Sequence, residues 1–133
     1  MATNDTINVN VKSWQEPYKT LLKARNHYWM VDEPVEIGGK DSAPKPSEFL
    51  LGALGACISI TIEMYCARKG WTLEQVEVQL SMDRSASETK IKKKLLFKGN
   101  LDEDQRKRLM QIAQACPIHK ILTNPIVMET IED

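Results

Sequence analysis

The amino-acid sequence lacks an excess of charge of either sign. Its 133 residues include 18 lysines and arginines and 18 aspartates and glutamates, so the formal net charge is zero. A partner chosen by bulk charge, such as nucleic acid, would favour a strongly basic chain. Two basic clusters, 90–94 and 106–108, are mixed with apolar or acidic residues and are typical of a solvated strand or helix face. We therefore expect no nucleic-acid partner.

The chain also has little that would direct it to a membrane. Its first residues, Met1 to Asp5, form neither a basic nor an apolar segment, so no signal peptide is expected. The longest uncharged apolar stretch, 49–62 between Glu48 and Glu63, is shorter than the roughly 20 residues that a membrane helix needs. These features predict a cytoplasmic protein with no membrane partner. The chain length predicts a single domain, residues 1–133.

Cysteine is scarce, with three residues, and the sequence has few other elements of a cofactor site. An odd number of cysteines in a cytoplasmic protein favours reactive thiols over a disulfide framework. Cys116 and His119 have the spacing of two metal ligands, but there is no second such pair and one other histidine, His27, so we expect no metal. No glycine-rich phosphate loop follows a predicted strand, and no cofactor is expected.

The hydrophobic pattern predicts six strands and three helices. Strands are expected where apolar and polar residues alternate, and helices where apolar residues recur every three or four positions. In chain order the predicted elements are strands 6–13, 18–23 and 27–31 with a turn at 25–26, helix 48–69, strands 75–82 and 91–97 with a turn at 85–88, helices 102–115 and 118–123, and strand 126–131. This order predicts an α+β fold with a largely antiparallel sheet.

The predicted helix 48–69 is apolar on all sides in its first part. Ser47 is a candidate N-cap, Pro46 could instead open the helix, and Gly70 is a natural stop. Nearly every residue from 49 to 62 is apolar or small, and a helix that is apolar all round must be buried all round. One small sheet covers only one face, so we predict an obligate homodimer in which a second copy covers the other. The alternative is a monomer with an unusually buried helix.

Two of the cysteines are candidates for redox chemistry. Cys57 lies in the middle of the long helix, where it could equally be a small buried hydrophobe. Cys116 precedes Pro117, which is favoured at the first position of a helix. It would then lie near the N-cap of helix 118–123, where unpaired N–H groups lower the pKa of a thiol. An incidental cysteine at a helix break is the alternative reading.

Helix geometry separates the third cysteine, Cys66, from Cys57. The nine intervening steps turn the helix by about 900° and advance it by about 13 Å, so the two side chains lie on opposite faces. An intact helix therefore excludes a disulfide between them, because the Cα atoms would have to approach to about 4.4–6.8 Å. Cys116 is the remaining candidate partner of Cys57.

Several motifs resemble the OsmC/Ohr family of thiol peroxidases, and its less characterised branch in particular. The helix segment 46–57 reads PSEFLLGALGAC, and it is preceded by Gly38-Gly39 and followed by GWTLE at 70–74 and CPI at 116–118. The resemblance spans residues 20–131 and includes both cysteines. It implies an OsmC-like fold, an interlocked homodimer with long central helices packed against mostly antiparallel sheets, and active sites at the subunit interface.

The resemblance also implies a reaction and a set of site residues. The helix cysteine, here Cys57, attacks an organic hydroperoxide and becomes a sulfenic acid. The second cysteine, here Cys116, condenses with it to a disulfide, which a dithiol or a lipoylated protein reduces. Family members hold the thiolate with an N-terminal arginine and a glutamate just before the helix. Arg25 and Glu48 are the candidates here, although the glutamate position corresponds to Ser47.

Two functions are consistent with these residues. In the first, the protein is a peroxidase, and apolar side chains near Cys57 favour alkyl hydroperoxides over hydrogen peroxide; they are Leu50, Leu51, Leu54, Ile58 and Ile60. In the second, the protein is a non-catalytic binding module for an apolar ligand. The absence of a glutamate at position 47 keeps the second function open.

Overall fold

The computed structural model describes residues 5–133 and has an α+β architecture, as the sequence predicts. The elements are β1 (Asn10–Ser13), β2 (Thr20–Ala24), β3 (His27–Val31), α1 (Pro46–Lys69), β4 (Thr72–Arg84), β5 (Thr89–Asn100), α2 (Glu103–Ile112) and α3 (Pro117–Thr123), with 3₁₀ turns at Val35–Ile37 and Ala113–Ala115. Strands β1, β2 and β3 form one antiparallel sheet, and β4 and β5 form another. Contacts within the chain define two compact units, which divide between Leu50 and Leu51, inside α1.

The first unit contains the three-stranded meander. Ala24 pairs with His27, so Arg25 and Asn26 form the predicted turn, and Arg25 has a left-handed φ of 55°. Strand β1 starts at Asn10, four residues later than predicted, and its expected half-buried face is wrong for the single chain. Val9 and Val11 are 49% and 56% exposed, so no other part of residues 5–133 covers this face of β1.

A buried carboxylate fixes the loop between β3 and α1. Asp32 accepts hydrogen bonds from the Ser42 hydroxyl at 2.6 Å, the Ser42 backbone N–H at 3.1 Å and the Glu33 backbone N–H at 2.8 Å. These donors, the Ser42 hydroxyl first, lower the pKa of Asp32 to about 2. A Cβ on Gly39 would lie 2.1 Å from the Glu33 carbonyl oxygen, so only glycine fits there. The loop is therefore held in one conformation ahead of α1.

Helix α1 begins two residues earlier than predicted. The Phe49 backbone N–H donates to the Lys45 carbonyl, and Pro46 is the first helical residue, where its missing N–H costs nothing. The Glu48 carboxylate accepts the Lys45 backbone N–H at 3.0 Å and closes the first turn. Of the two predicted starts, Pro46 is therefore confirmed and the Ser47 N-cap is wrong. Gly70, with φ of 70°, ends the helix as predicted.

Only one side of α1 is buried in the single chain. Leu54, Ile58 and Ile62 are at most 2% exposed, whereas Ile60 and Met64 are 51% and 61% exposed. The helix is long and apolar enough, by length and composition alone, to cross a membrane. Core helices of soluble proteins share these properties, so a single such helix is weak evidence, and the absence of a membrane partner stays a prediction.

The second unit packs the β4–β5 hairpin against α1. The turn at 85–88 is confirmed, and both strands are longer than predicted. A Cβ on Gly55 would lie 2.7 Å from Leu80 Cδ1, so the glycine allows α1 to lie directly against β4. Apolar residues on the inward face of each strand cover the core formed by α1, Leu109 and Cys116.

In the C-terminal part the two predicted helices are confirmed as α2 and α3, and one predicted strand is wrong. A capping box between Asp102 and Gln105 starts α2, which ends at Ile112 and continues as a 3₁₀ turn to Ala115. The predicted strand 126–131 is wrong, since these residues have no regular structure and Val127 is 92% exposed. A strand needs a neighbour to satisfy its backbone, and residues 5–133 of one chain place none beside this segment.

Candidate active site

Cys57 lies on α1 at the border between its buried and exposed sides. Its side chain is half-buried and packs against the core cluster. At about 100° per residue it projects about 60° away from the exposed Ile60 and about 100° away from the buried Ile58. The thiol therefore combines a packed environment with access from the exposed side of the helix.

Cys116 is fully buried at the start of α3. It is the N-cap residue, its φ and ψ of −61° and 133° are extended, and Pro117 occupies the first helical position. The backbone N–H of His119 donates to the Cys116 Sγ at 3.4 Å. The predicted position near a helix N-cap is thus confirmed.

Cys57 packs against the core cluster that contains Cys116, and its proximity influences the pKa of Cys116. Burial is the largest influence and raises that pKa, and the hydrogen bond to Cys57 and the charge of Cys57 raise it further. The backbone N–H groups of His119 and Ile118 act in the opposite direction but are outweighed. The expectation of a lowered pKa at the N-cap is therefore wrong. Cys116 is held as a neutral thiol that can donate its S–H to Cys57.

The third cysteine is placed as helix geometry requires. α1 is unbroken from Pro46 to Lys69, so the separation of about 13 Å between Cys57 and Cys66 along the helix stands. Cys66 is 2% exposed, and burial raises its pKa. Its carbonyl accepts the Trp71 backbone N–H at the end of the helix. Cys66 is therefore part of the core packing.

The two other predicted site residues, Arg25 and Glu48, are both exposed in the single chain. Arg25 occupies the β2–β3 turn in the first unit, and the Glu48 carboxylate closes the first turn of α1. Their roles toward the thiolate stay predictions.

Lys93 and His119 form a contact that the sequence analysis missed. The two nitrogens, Lys93 Nζ and His119 Nδ1, are 3.0 Å apart, and burial followed by the charge of Lys93 lowers the pKa of His119. His119 is therefore neutral at neutral pH and supplies no positive charge to a nearby thiol. The signal in the sequence was a lysine between Ile91 and Leu95 at an inward position of β5. No three His, Cys, Asp or Glu side chains within residues 5–133 are grouped to hold a metal.

Comparison with known families identifies the family to which the chain belongs. A sequence model described as OsmC-like protein matches residues 39–131, a span that includes both Cys57 and Cys116. The match covers more than half of the chain, which therefore belongs to the OsmC-like protein family, as the motifs predicted. No curated protein matches the chain.

Solved structures show the same fold at low sequence identity. An OsmC-like protein from Mycoplasma pneumoniae is 16% identical, with a TM-score of 0.77 over 90% of this chain and 89% of that one. The organic hydroperoxide resistance protein OsmC from Legionella pneumophila is 16% identical, with a TM-score of 0.66 over 92% of each chain. The organic hydroperoxide resistance protein OhrB of Bacillus subtilis is 17% identical, with a TM-score of 0.63 over 91% of this chain and 93% of that one.

Proposed function

We propose that this protein is a thiol-dependent peroxidase that reduces organic hydroperoxides with Cys57 and Cys116. The observation that carries the proposal is the packing of a half-buried thiol, Cys57, against the core cluster that contains Cys116, a fully buried thiol whose pKa is raised. A peroxidase needs one accessible thiolate and one nearby thiol that resolves the oxidised product. The names of two structural neighbours, which are organic hydroperoxide resistance proteins, support the same reaction.

The reaction follows from the different surroundings of the two thiols. The Cys57 thiolate attacks the outer oxygen of the hydroperoxide, so an S–O bond forms, the O–O bond breaks, and the leaving alkoxide takes a proton to become an alcohol. The Cys116 sulfur then attacks the Cys57 sulfenic acid, forming a disulfide and releasing water. A dithiol, free or on a lipoylated protein, reduces the disulfide by thiol–disulfide exchange and is itself oxidised.

Arg25 and Glu48 are the proposed groups that hold the thiolate. Arginine stays charged and offers several donors in a fixed fork, which suits an anion in an apolar setting. Glu48 precedes Cys57 by nine residues, about 13 Å along the intact helix, which exceeds the length of a glutamate side chain. We therefore propose that Glu48 acts on the Cys57 of the other protomer.

The exposed apolar side of α1 supports the homodimer. Ile60 and Met64 lie on it, and Ala53 and Ala56, which are also exposed, would let another helix approach closely. We propose an interlocked, cytoplasmic homodimer in which two copies of α1 pack together. Cys57, at the edge of this face, would then lie at the subunit interface.

A non-catalytic binding module is the second candidate function. Ser47 occupies the position of the family glutamate, and the Glu48 carboxylate already accepts the Lys45 backbone N–H. If Glu48 serves only to cap the helix, the dimer would hold an apolar ligand and the cysteines would be idle.

Stopped-flow consumption of tert-butyl hydroperoxide, with dihydrolipoamide as the reductant, separates these functions. The peroxidase proposal predicts rapid consumption by the wild type, none above background for Cys57→Ser, and wild-type consumption for Cys66→Ser as the matched control. Equal rates for the wild type and Cys57→Ser would refute it and favour the binding module.

A further inference from the structure

A cavity of about 250 Å³ lies between β5, α1 and α3 in the second unit. One side of its lining is apolar and the other carries hydroxyl and nitrogen groups. The lining residues are Leu54, Ile91 and Leu122 on the apolar side, and Thr89, Thr123, Lys93 and His119 on the polar side. If each non-hydrogen atom takes the roughly 30 Å³ that a water occupies in the liquid, the cavity holds about eight such atoms. No thiol and no carboxylate lines it.

Lys93 is placed where the strand pattern calls for an apolar side chain. Its neighbours on the inward face of β5 are Ile91 and Leu95, which pack against the core, whereas Lys92 and Lys94 are exposed on the outer face. A half-buried ammonium is costly unless a charge of opposite sign compensates it. The two ion pairs found among residues 5–133 lie elsewhere and do not involve Lys93.

The partner that Lys93 does have is neutral. His119 Nδ1 accepts from Lys93 Nζ at 3.0 Å, which leaves the proton of the imidazole on Nε2. Burial and the charge of Lys93 lower the pKa of His119, so the ring adds no charge. The pair therefore offers further donors, from the ammonium and from Nε2–H, and leaves one positive charge without a compensating anion. This combination matches the two oxygens of a carboxylate.

We propose that this cavity binds a small aliphatic monocarboxylate. Its carboxylate accepts hydrogen bonds from Lys93 Nζ and His119 Nε2, and its chain lies against Leu54, Ile91 and Leu122. A monocarboxylate with six carbons and two oxygens matches the cavity volume of about 250 Å³. Pockets for larger ligands typically have volumes of about 300–1,000 Å³. No cysteine lines the site, so it is distinct from the Cys57 and Cys116 thiols, although Leu54 is also one of the apolar side chains near Cys57 and His119 donates its backbone N–H to Cys116.

Isothermal titration calorimetry with hexanoate tests the proposal. We expect hexanoate to bind the wild type with a dissociation constant of about 1 mM or lower. Lys93→Met should weaken hexanoate binding about tenfold or more, because the substitution removes a charged donor and keeps an unbranched apolar side chain. Lys92→Met is the matched control, on the exposed face of the same strand, and should bind as the wild type does. Hexanamide, which has the same size and no charge, should bind at least about tenfold more weakly than hexanoate.

Each of several results would overturn the proposal. These are the absence of hexanoate binding, equal hexanoate affinities of Lys93→Met and Lys92→Met, and equal affinities of the wild type for hexanamide and hexanoate. Tighter binding of inorganic phosphate than of hexanoate would also overturn it, because the apolar wall of the cavity would then contribute nothing. Cys57→Ser should bind hexanoate unchanged while it loses peroxidase activity. The binding site and the proposed function can therefore fail independently.

Discussion

Replacing Ile60 by lysine tests whether a second copy of the chain covers α1. Ile60 lies at the centre of the exposed apolar side of the helix and is 51% exposed in the single chain. Fully burying an isoleucine side chain contributes about 2 kcal/mol, so a partner that covers the exposed half contributes about 1 kcal/mol at each copy. In a twofold interface the same residue acts twice, which gives about 2 kcal/mol.

The introduced charge adds to this loss. Two ammonium groups would lie near each other in an apolar interface, and although lysine can extend toward water, we estimate about 2 kcal/mol for their desolvation and repulsion. The total of about 4 kcal/mol raises the dimer dissociation constant about a thousandfold. A dimer that is stable at low micromolar concentration then becomes a monomer near 15.1 kDa.

Sedimentation velocity over a series of protein concentrations measures this change. Met110→Lys is the matched control, because Met110 is 48% exposed and lies on α2, away from the α1 face. We expect the control to remain dimeric. A wild type that is monomeric at every concentration, or an Ile60→Lys variant that dimerises as tightly as Met110→Lys, would refute the reasoning.

The remaining predictions concern the thiols and the loop before α1. Cys116→Ser should still react once with hydroperoxide but leave Cys57 as a sulfenic or sulfinic acid, because no thiol resolves it. Mass spectrometry of the treated variant should show one or two added oxygens, whereas the control Cys66→Ser should form the intrachain disulfide. A disulfide in Cys116→Ser would contradict the assignment. Arg25→Met should lower the thiolate fraction of Cys57, as measured by ultraviolet absorbance, and should slow the peroxide step. Arg84→Met is the control. An unchanged thiolate fraction in Arg25→Met would mean that other groups stabilise the thiolate. The pKa of Asp32 is lowered from 3.8 to about 2, so its contribution to stability is complete above about pH 4 and is lost as the pH falls through about 2. Asp32→Asn should therefore lower the melting temperature at pH 7 and make the melting temperature less dependent on pH between about 4 and 2. Asp83→Asn, on the exposed side of β4, should do neither. If Asp32→Asn keeps the wild-type pH dependence, Asp32 is not the source of that dependence.

Local sequence patterns were sufficient to predict most of the helices, strands and turns. Proline, glycine and the apolar spacing marked the start and end of α1, and alternation marked the β4–β5 hairpin and the Arg25–Asn26 turn. These signals are local, since each depends on backbone conformation or on a short run of side chains. The spacing of Cys57 and Cys66 also excluded their pairing, because an intact helix fixes the positions of its own residues.

Other features depend on contacts between residues that are distant in the sequence. The strand expected at 126–131 did not form, because a strand depends on a distant partner and not on its own alternation. The N-cap position of Cys116 was predicted correctly, but its pKa moved in the opposite direction, because burial and the adjacent Cys57 outweigh the N–H groups of one short helix. Lys93 is one lysine among several in β5 when read as sequence. Only the packing of α3 against that strand, which brings His119 to it, shows that its charge lies over an apolar cavity without an anion.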